Sequence, residues 1–304
     1  MSVGQVEAAV TEAAHEEEGA GGLWRDAFGR LRRNPAAVVG AVFVALFVLV
    51  ALFAPLLAPY QPDAGNLDLI RPSFVPGPSA QHWLGLDTQG RDELSRIIYG
   101  ARQSLVVAVV SLLLGAVAGA VLGLLAGAFG GWVDSLVMRI VDVMLAVPGL
   151  LFAIGVAAAI GAGLKAVMIA IAVVNVPIFA RLLRGSMLAQ RETDYVLAAR
   201  SVGVRRRQIT LRHVLPNSIS PVIVQGTLTL ATAIVDAAGL SFLGLGSADP
   251  SVPEWGRMLT EMQDALTYAP QLAIFPGAAI VLSALGFTLL GESLREALDP
   301  KFRR

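Results

Sequence analysis

Cysteine is absent from this 304-residue chain, which removes disulfide bonds, thiol chemistry and cysteine-ligated metal or iron–sulfur sites together. Lysine is nearly absent, occurring only as Lys165 and Lys301, so positive charge is carried almost wholly by arginine. The three histidines, His15, His82 and His213, are too scattered to suggest a metal site, and no metal-ligand set is expected. No GxxxxGK[ST] phosphate loop is present, so this chain is expected to bind neither ATP nor any other cofactor itself. HExxH and GxSxG are missing as well, and the glycine-rich run 239–246 does not follow a strand, which excludes a dinucleotide loop. A net charge of zero points to no nucleic-acid partner.

Charged residues make up only 15% of the chain, hydrophobic ones 55%, and the mean hydropathy is +0.67. That balance is too apolar for an ordinary soluble domain and reads as an all-α, polytopic membrane helix bundle. Residues 1–22, rich in Ala, Glu and Gly and without an apolar signal core, read as a disordered cytoplasmic tail. Residues 23–34 place Trp24 and Phe28 among Arg25, Arg30, Arg32 and Arg33, an amphipathic basic segment suited to the inner lipid surface. Asn34 can cap the helix that Pro35 begins.

Six spans are expected, at 35–57, 104–129, 135–160, 164–185, 218–240 and 270–290, the last five within a core domain of residues 104–291. Residues 58–103 and 241–269 carry more acid than base and are expected outside. Acids such as Asp63, Asp68, Asp87, Asp92 and Glu93 are expected to be solvated there. Within the second span, Gly115, Gly119, Gly123 and Gly127 recur every four residues, a flat face for close helix packing. In the third, Arg139 and Asp142 are three apart and are expected to pair. In the fourth, Asn175 beside Pro177 suggests a kink with freed backbone groups. In the fifth, Gln225, Thr229, Thr232 and Asp236 share one helical face. Either they line a translocation path, with Asn175 nearby, or the threonines merely bond to their own helix.

The most polar stretch inside the membrane-like region is the loop 188–217, TDYVLAARSVGVRRRQITLRHVLPN at its centre, which carries Arg191, Arg200, Arg205, Arg206, Arg207 and Arg212. The positive-inside rule assigns it to the cytoplasm. Two short helices joined at Gly203 are expected, with Pro216 ending the second. The tail 292–304 is also basic at its end and belongs on the same side.

The order Ala198-Ala199, three residues, Gly203, then Leu215-Pro216 resembles the EAA loop of permease subunits in ATP-binding-cassette importers. YVxAARxxG followed by RHxLPN is similar to the dipeptide/oligopeptide/nickel branch, although Leu197 stands where the general motif has Glu and His213 where it has Ile. Three further strings agree in order: GLDTQGRDELSRIIYGARQSL near residue 85, DAAGLSFLGLG with Asp236 in the acidic place followed by PEWG, and the terminal ESLREALDPKFRR. The resemblance implies a type I importer transmembrane domain. It also implies a homologous second permease, two cytoplasmic ATPase domains that use ATP and Mg, and an extracytoplasmic solute-binding protein. Tyr195, Leu197, Ala198, Ala199, Arg200, Gly203, Arg207, Leu215 and Pro216 would couple to the ATPase. The expected place is the bacterial cytoplasmic membrane, with both termini inside, and the expected cargo peptides. Nickel or another small solute stays open as cargo, as does an ion-coupled carrier in which Asp236 or Asp142 relays protons. A membrane receptor or scaffold also stays open.

Overall fold

The computed structural model describes residues 28–71 and 73–298. The expected tail 1–22, the start of the basic segment and the last six residues lie outside them. Among the described residues the chain is built of helices, and the β pairing is confined to isolated bridges such as Gly65 with Arg91.

Residues 28–33 are helical, and the Asn34 side chain then accepts a bond from the Ala36 amide at 2.9 Å to start α1, Pro35–Leu52. Helix α2, Glu93–Phe129, is 37 residues long. At 1.5 Å per residue it measures about 55 Å, well beyond a hydrocarbon core of about 30 Å. It begins eleven residues before the expected span because Asp92 caps it, accepting from the Ser95 amide at 2.8 Å, so its first three turns precede the apolar run.

The third span is not one straight helix. Gly131–Ala146 (α3) and Gly149–Ile160 (α4) meet at a 96° bend at Val147 and Pro148. Pro148 lacks an amide proton, and it holds Val147 out of the helical region. Among the described residues, five helices are long and apolar enough to cross a membrane, and a sixth crossing is counted if the bent pair is one span.

Helix α5, Leu164–Arg191, runs on through Pro177, and its pairing with α2 is the most extensive in the molecule. The glycine ladder makes that pairing possible. A Cβ at Gly115 would lie 2.7 Å from Ala172 O, at Gly119 2.5 Å from Val176 O, and at Gly123 2.6 Å from Ala180 O. Helix α6, Asp194–Ser201, and the short α7, Arg206–Ile209, form the insert, followed by α8, Ser220–Phe242. Helix α9 covers Trp255–Glu261, and α10, Gln271–Leu298, returns to pack on α1 and α8. The apolar core gathers Phe47, Val107, Ile171, Ile234, Leu240, Trp255 and Phe287 from six of these helices.

Pro216 does not end the second insert helix as expected. Helical structure continues from Arg206 to Ser218, with a π-helical turn over Thr210–Val214 just ahead of the proline. A π turn shifts the bonding pattern and absorbs the missing donor. Asn217 Nδ2 and Ser218 Oγ donate to His213 O and Val214 O at 2.8 and 2.7 Å.

Candidate functional site

The insert is a small folded unit at one end of α2 and α5. Val196, Ile209 and Val214 are buried against Leu183 and Met187 of α5, with Ala199 and Leu215 packed around them. Gly203 turns the chain at φ +82° with open space around its Cα, a left-handed residue that ends α6. This core leaves Leu197 (47%) and Val202 (79%) exposed, with Ala198 also at the surface, an apolar ridge on a polar segment. Tyr195 is exposed, donating its hydroxyl to Gln190 Oε1 at 2.7 Å and accepting from Asn217 Nδ2 at 3.3 Å. Arg200, Arg207 and Pro216 are exposed. Of the residues expected to couple, Ala199 and Leu215 thus belong more to the insert's interior than to its surface.

The arginines divide into two groups. Arg191 Nη2 and Arg206 Nη2 donate to Ala128 O at 2.8 and 2.9 Å, and Arg206 also reaches Phe129 O at 3.2 Å. These carbonyls are left over at the end of α2, where cations are favoured. Arg205, Arg207 and Arg212 stay at the surface.

The expected Arg139–Asp142 pair is not formed. Asp142 instead accepts from Arg181 of α5 at 2.5 Å, and Asp134 makes a two-point pair with Arg184 at 2.5 and 2.6 Å. Partners on a neighbouring helix win because α3 lies along α5, whereas Arg139 takes no part in either pair.

The polar stripe of α8 is only partly open. Thr229 is buried, and exposed Thr232 donates to Thr229 O at 3.1 Å, so the threonines bond within their own helix. Gln225 lines a cavity of about 620 Å³ with Leu145, Ile178, Arg181, Ser186 and Pro221, between α3, α5 and α8. Asp236 is half-buried one turn beyond Thr232. Asn175 is buried, donates to Ile171 O at 2.8 Å and packs against Gly115, so it sits in the α2–α5 contact rather than beside the stripe.

Of the acids expected to be solvated, Asp63 and Asp68 are exposed, whereas Asp87, Asp92 and Glu93 are buried. Asp87 accepts from Arg91 Nε at 2.6 Å, and Arg91 Nη2 reaches Glu261 of α9 at 2.7 Å. Arg96, fully enclosed, donates to Glu261 at 3.1 Å, and its Nε lies 3.3 Å from Asp87 without hydrogen-bond alignment. Arg257 donates to the second Glu261 oxygen at 2.8 Å. His82 Nδ1 lies 2.8 Å from Asp92, and its ring packs on Tyr60 at 4.8 Å between centroids. Trp255 donates to Ile97 O at 3.0 Å and fills the space where Gly100 has no side chain; Gly256 lies against Ala238. The string GRDELSRIIYGAR is therefore a clamp that fastens the start of α2 to the segment between α8 and α10, and PEWG is its other jaw. Ser241 donates to buried Glu254, whose carboxyl is pushed above the usual range by burial. On the exposed rim, the Ser251 hydroxyl and amide hold the Asp249 carboxyl below its usual range.

Two families match the chain. Residues 22–76 match the N-terminal TM domain of oligopeptide transport permease C. The curated relatives include a dipeptide transport system permease protein, DppC, of Alkalihalophilus pseudofirmus, 45% identical over 92% of this chain and 90% of that protein. A glutathione transport system permease protein, GsiD, of Escherichia coli O6:K15:H31 is 47% identical over 92% and 91%. Among solved structures, an inward-facing MetNI methionine ABC transporter aligns with a TM-score of 0.56 at 19% identity, covering 67% of this chain and 97% of that one, a likeness of fold. With residues 119–304 matching as well, the chain belongs to the binding-protein-dependent transport system inner membrane component family.

Proposed function

We propose that this chain is one of two permease subunits of an ATP-driven importer that moves short peptides across the bacterial cytoplasmic membrane. The observation that carries the reading is the insert: a rigid, arginine-rich knob with an exposed Leu197–Ala198–Val202 ridge at one end of the longest helix pair. Such a ridge on a cytoplasmic loop is suited to a groove on a separate ATPase, which would use ATP and Mg, while this chain hydrolyses nothing. The peptide cargo rests on relatives named for dipeptide and glutathione transport, glutathione itself being a tripeptide. A homologous second permease and an outside solute-binding protein complete the assembly, and both termini lie in the cytoplasm. Closure of the ATPase dimer moves the insert, and the bundle alternates between outward and inward access. The path runs by the cavity that Gln225 and Arg181 line and past Asp236, with Thr232 at its edge. Thr229 and Asn175, enclosed in packing, are left out of it.

The test is co-expression with the neighbouring genes, followed by pull-down of this chain with either its natural insert or Gly203→Trp. Recovery of ATPase subunits with the natural chain and their loss with the variant is the expected result. An ion gradient driving peptide uptake through the purified single chain would overturn the reading.

A further inference from the structure

Beneath the insert lies a second cavity, of about 410 Å³, lined by Arg191, Arg200 and Arg206 together with Val204, Ile209 and Thr210. Three guanidiniums converge there, and no carboxylate pairs with any of them among the described residues. Arg191 and Arg206 each commit one terminal nitrogen to the α2 carbonyls. A guanidinium has five N–H donors, so most of theirs remain available, and Arg200 commits none. Converging cations without an acid repel one another, and an anion with several acceptor oxygens would relieve that repulsion. The depth of the cavity is marked by an aromatic residue. Trp132, 75% exposed, lies just past the end of α2 that Arg191 and Arg206 hold, and tryptophan settles at the level of lipid head groups.

We propose that this cavity is a phosphate-binding site for the head group of an anionic phospholipid, held by Arg191, Arg200 and Arg206 between the insert and the end of α2. The apolar wall of Val204 and Ile209 shelters the phosphate from water, which strengthens its bonds to the guanidiniums. A lipid bound there would join the insert to the membrane surface, independently of what the bundle carries.

The probe is phosphatidylglycerol, titrated against phosphatidylcholine onto the purified full chain in detergent and read by native mass spectrometry. Arg200→Gln is the informative variant, because Arg200 makes no bond to α2 and its loss leaves that end intact. Arg205→Gln, exposed and outside the cavity, is the control. The natural chain and the control should retain one phosphatidylglycerol more tightly than Arg200→Gln by about fivefold, the worth of one arginine at an anionic surface. Equal retention by all three overturns the proposal. So does binding of inorganic phosphate with no retention of the lipid, which makes the cavity a soluble-anion site. Protection of Arg200 only when ATPase subunits are added overturns it too, because the anion is then a protein carboxylate.

Discussion

Arg96 illustrates how far a single side chain can be from its sequence description. In the sequence it is one base in an acidic loop; in the fold it is fully enclosed between Asp87 and Glu261, residues far apart in the chain. Breaking a buried ion network by removing one member leaves charge uncompensated and costs about 3–5 kcal/mol. Arg96→Met should therefore lower the thermal midpoint of the detergent-solubilised chain sharply, and an unchanged midpoint would show that the clamp contributes nothing. Glu254 makes a pH prediction. Its carboxyl is raised by burial, so the folded state holds this proton more tightly than the unfolded one. The group's stabilising contribution is complete below the usual glutamate range and is lost as pH rises through its higher folded value. Glu254→Gln keeps an acceptor for Ser241 and removes the titration. The variant should be the more stable form at alkaline pH, with the difference shrinking on acidification; parallel melting curves across pH would refute this. Neither residue's surroundings could be read beforehand, since charge balance in a loop says where it lies but not which acid meets which base.

At the level of helices, periodicity was the reliable guide. The four-residue glycine repeat was visible in the sequence and is the contact between α2 and α5, because small residues let backbone approach backbone. A leucine at Gly119 would place its Cβ 2.5 Å from Val176 O and 2.7 Å from Phe179 Cβ, where only helix backbone could yield. Overpacking costs about 1–3 kcal/mol in an ordinary core and more where, as here, backbone must give way. Gly119→Leu should abolish accumulation of folded chain, whereas Gly155→Leu, with nothing within 4 Å, should be recovered at natural yield. Equal recovery of the two would remove the ladder from the packing argument. Element ends were less legible than elements. The polar start of α2 looks like loop because hydropathy sees the membrane and not the helix that continues out of it. The break at Pro148 was masked by an uncharged run long enough to cross in one piece. In the insert, Gly203 was legible because only a turn needs it, while the π turn just ahead of Pro216 has no sequence signal of its own.

For the molecule as a whole, sidedness is the property that the other readings depend on. With no native cysteine, a single introduced thiol reports without background. Leu67 and Val202, 69% and 79% exposed, lie in the loop between α1 and α2 and in the insert. A membrane-impermeant maleimide should label Leu67→Cys in intact cells and Val202→Cys only after permeabilisation; the reverse pattern would invert the topology. One helix connects the two regions that these probes report on. Its outer end is gripped by the Asp87–Arg96–Glu261 clamp and its inner end by Arg191 and Arg206, while the glycine ladder welds it to α5 in between. A rod held at both ends ties the insert mechanically to the loops at the far end of the bundle, as a connecting rod ties the two ends of an engine.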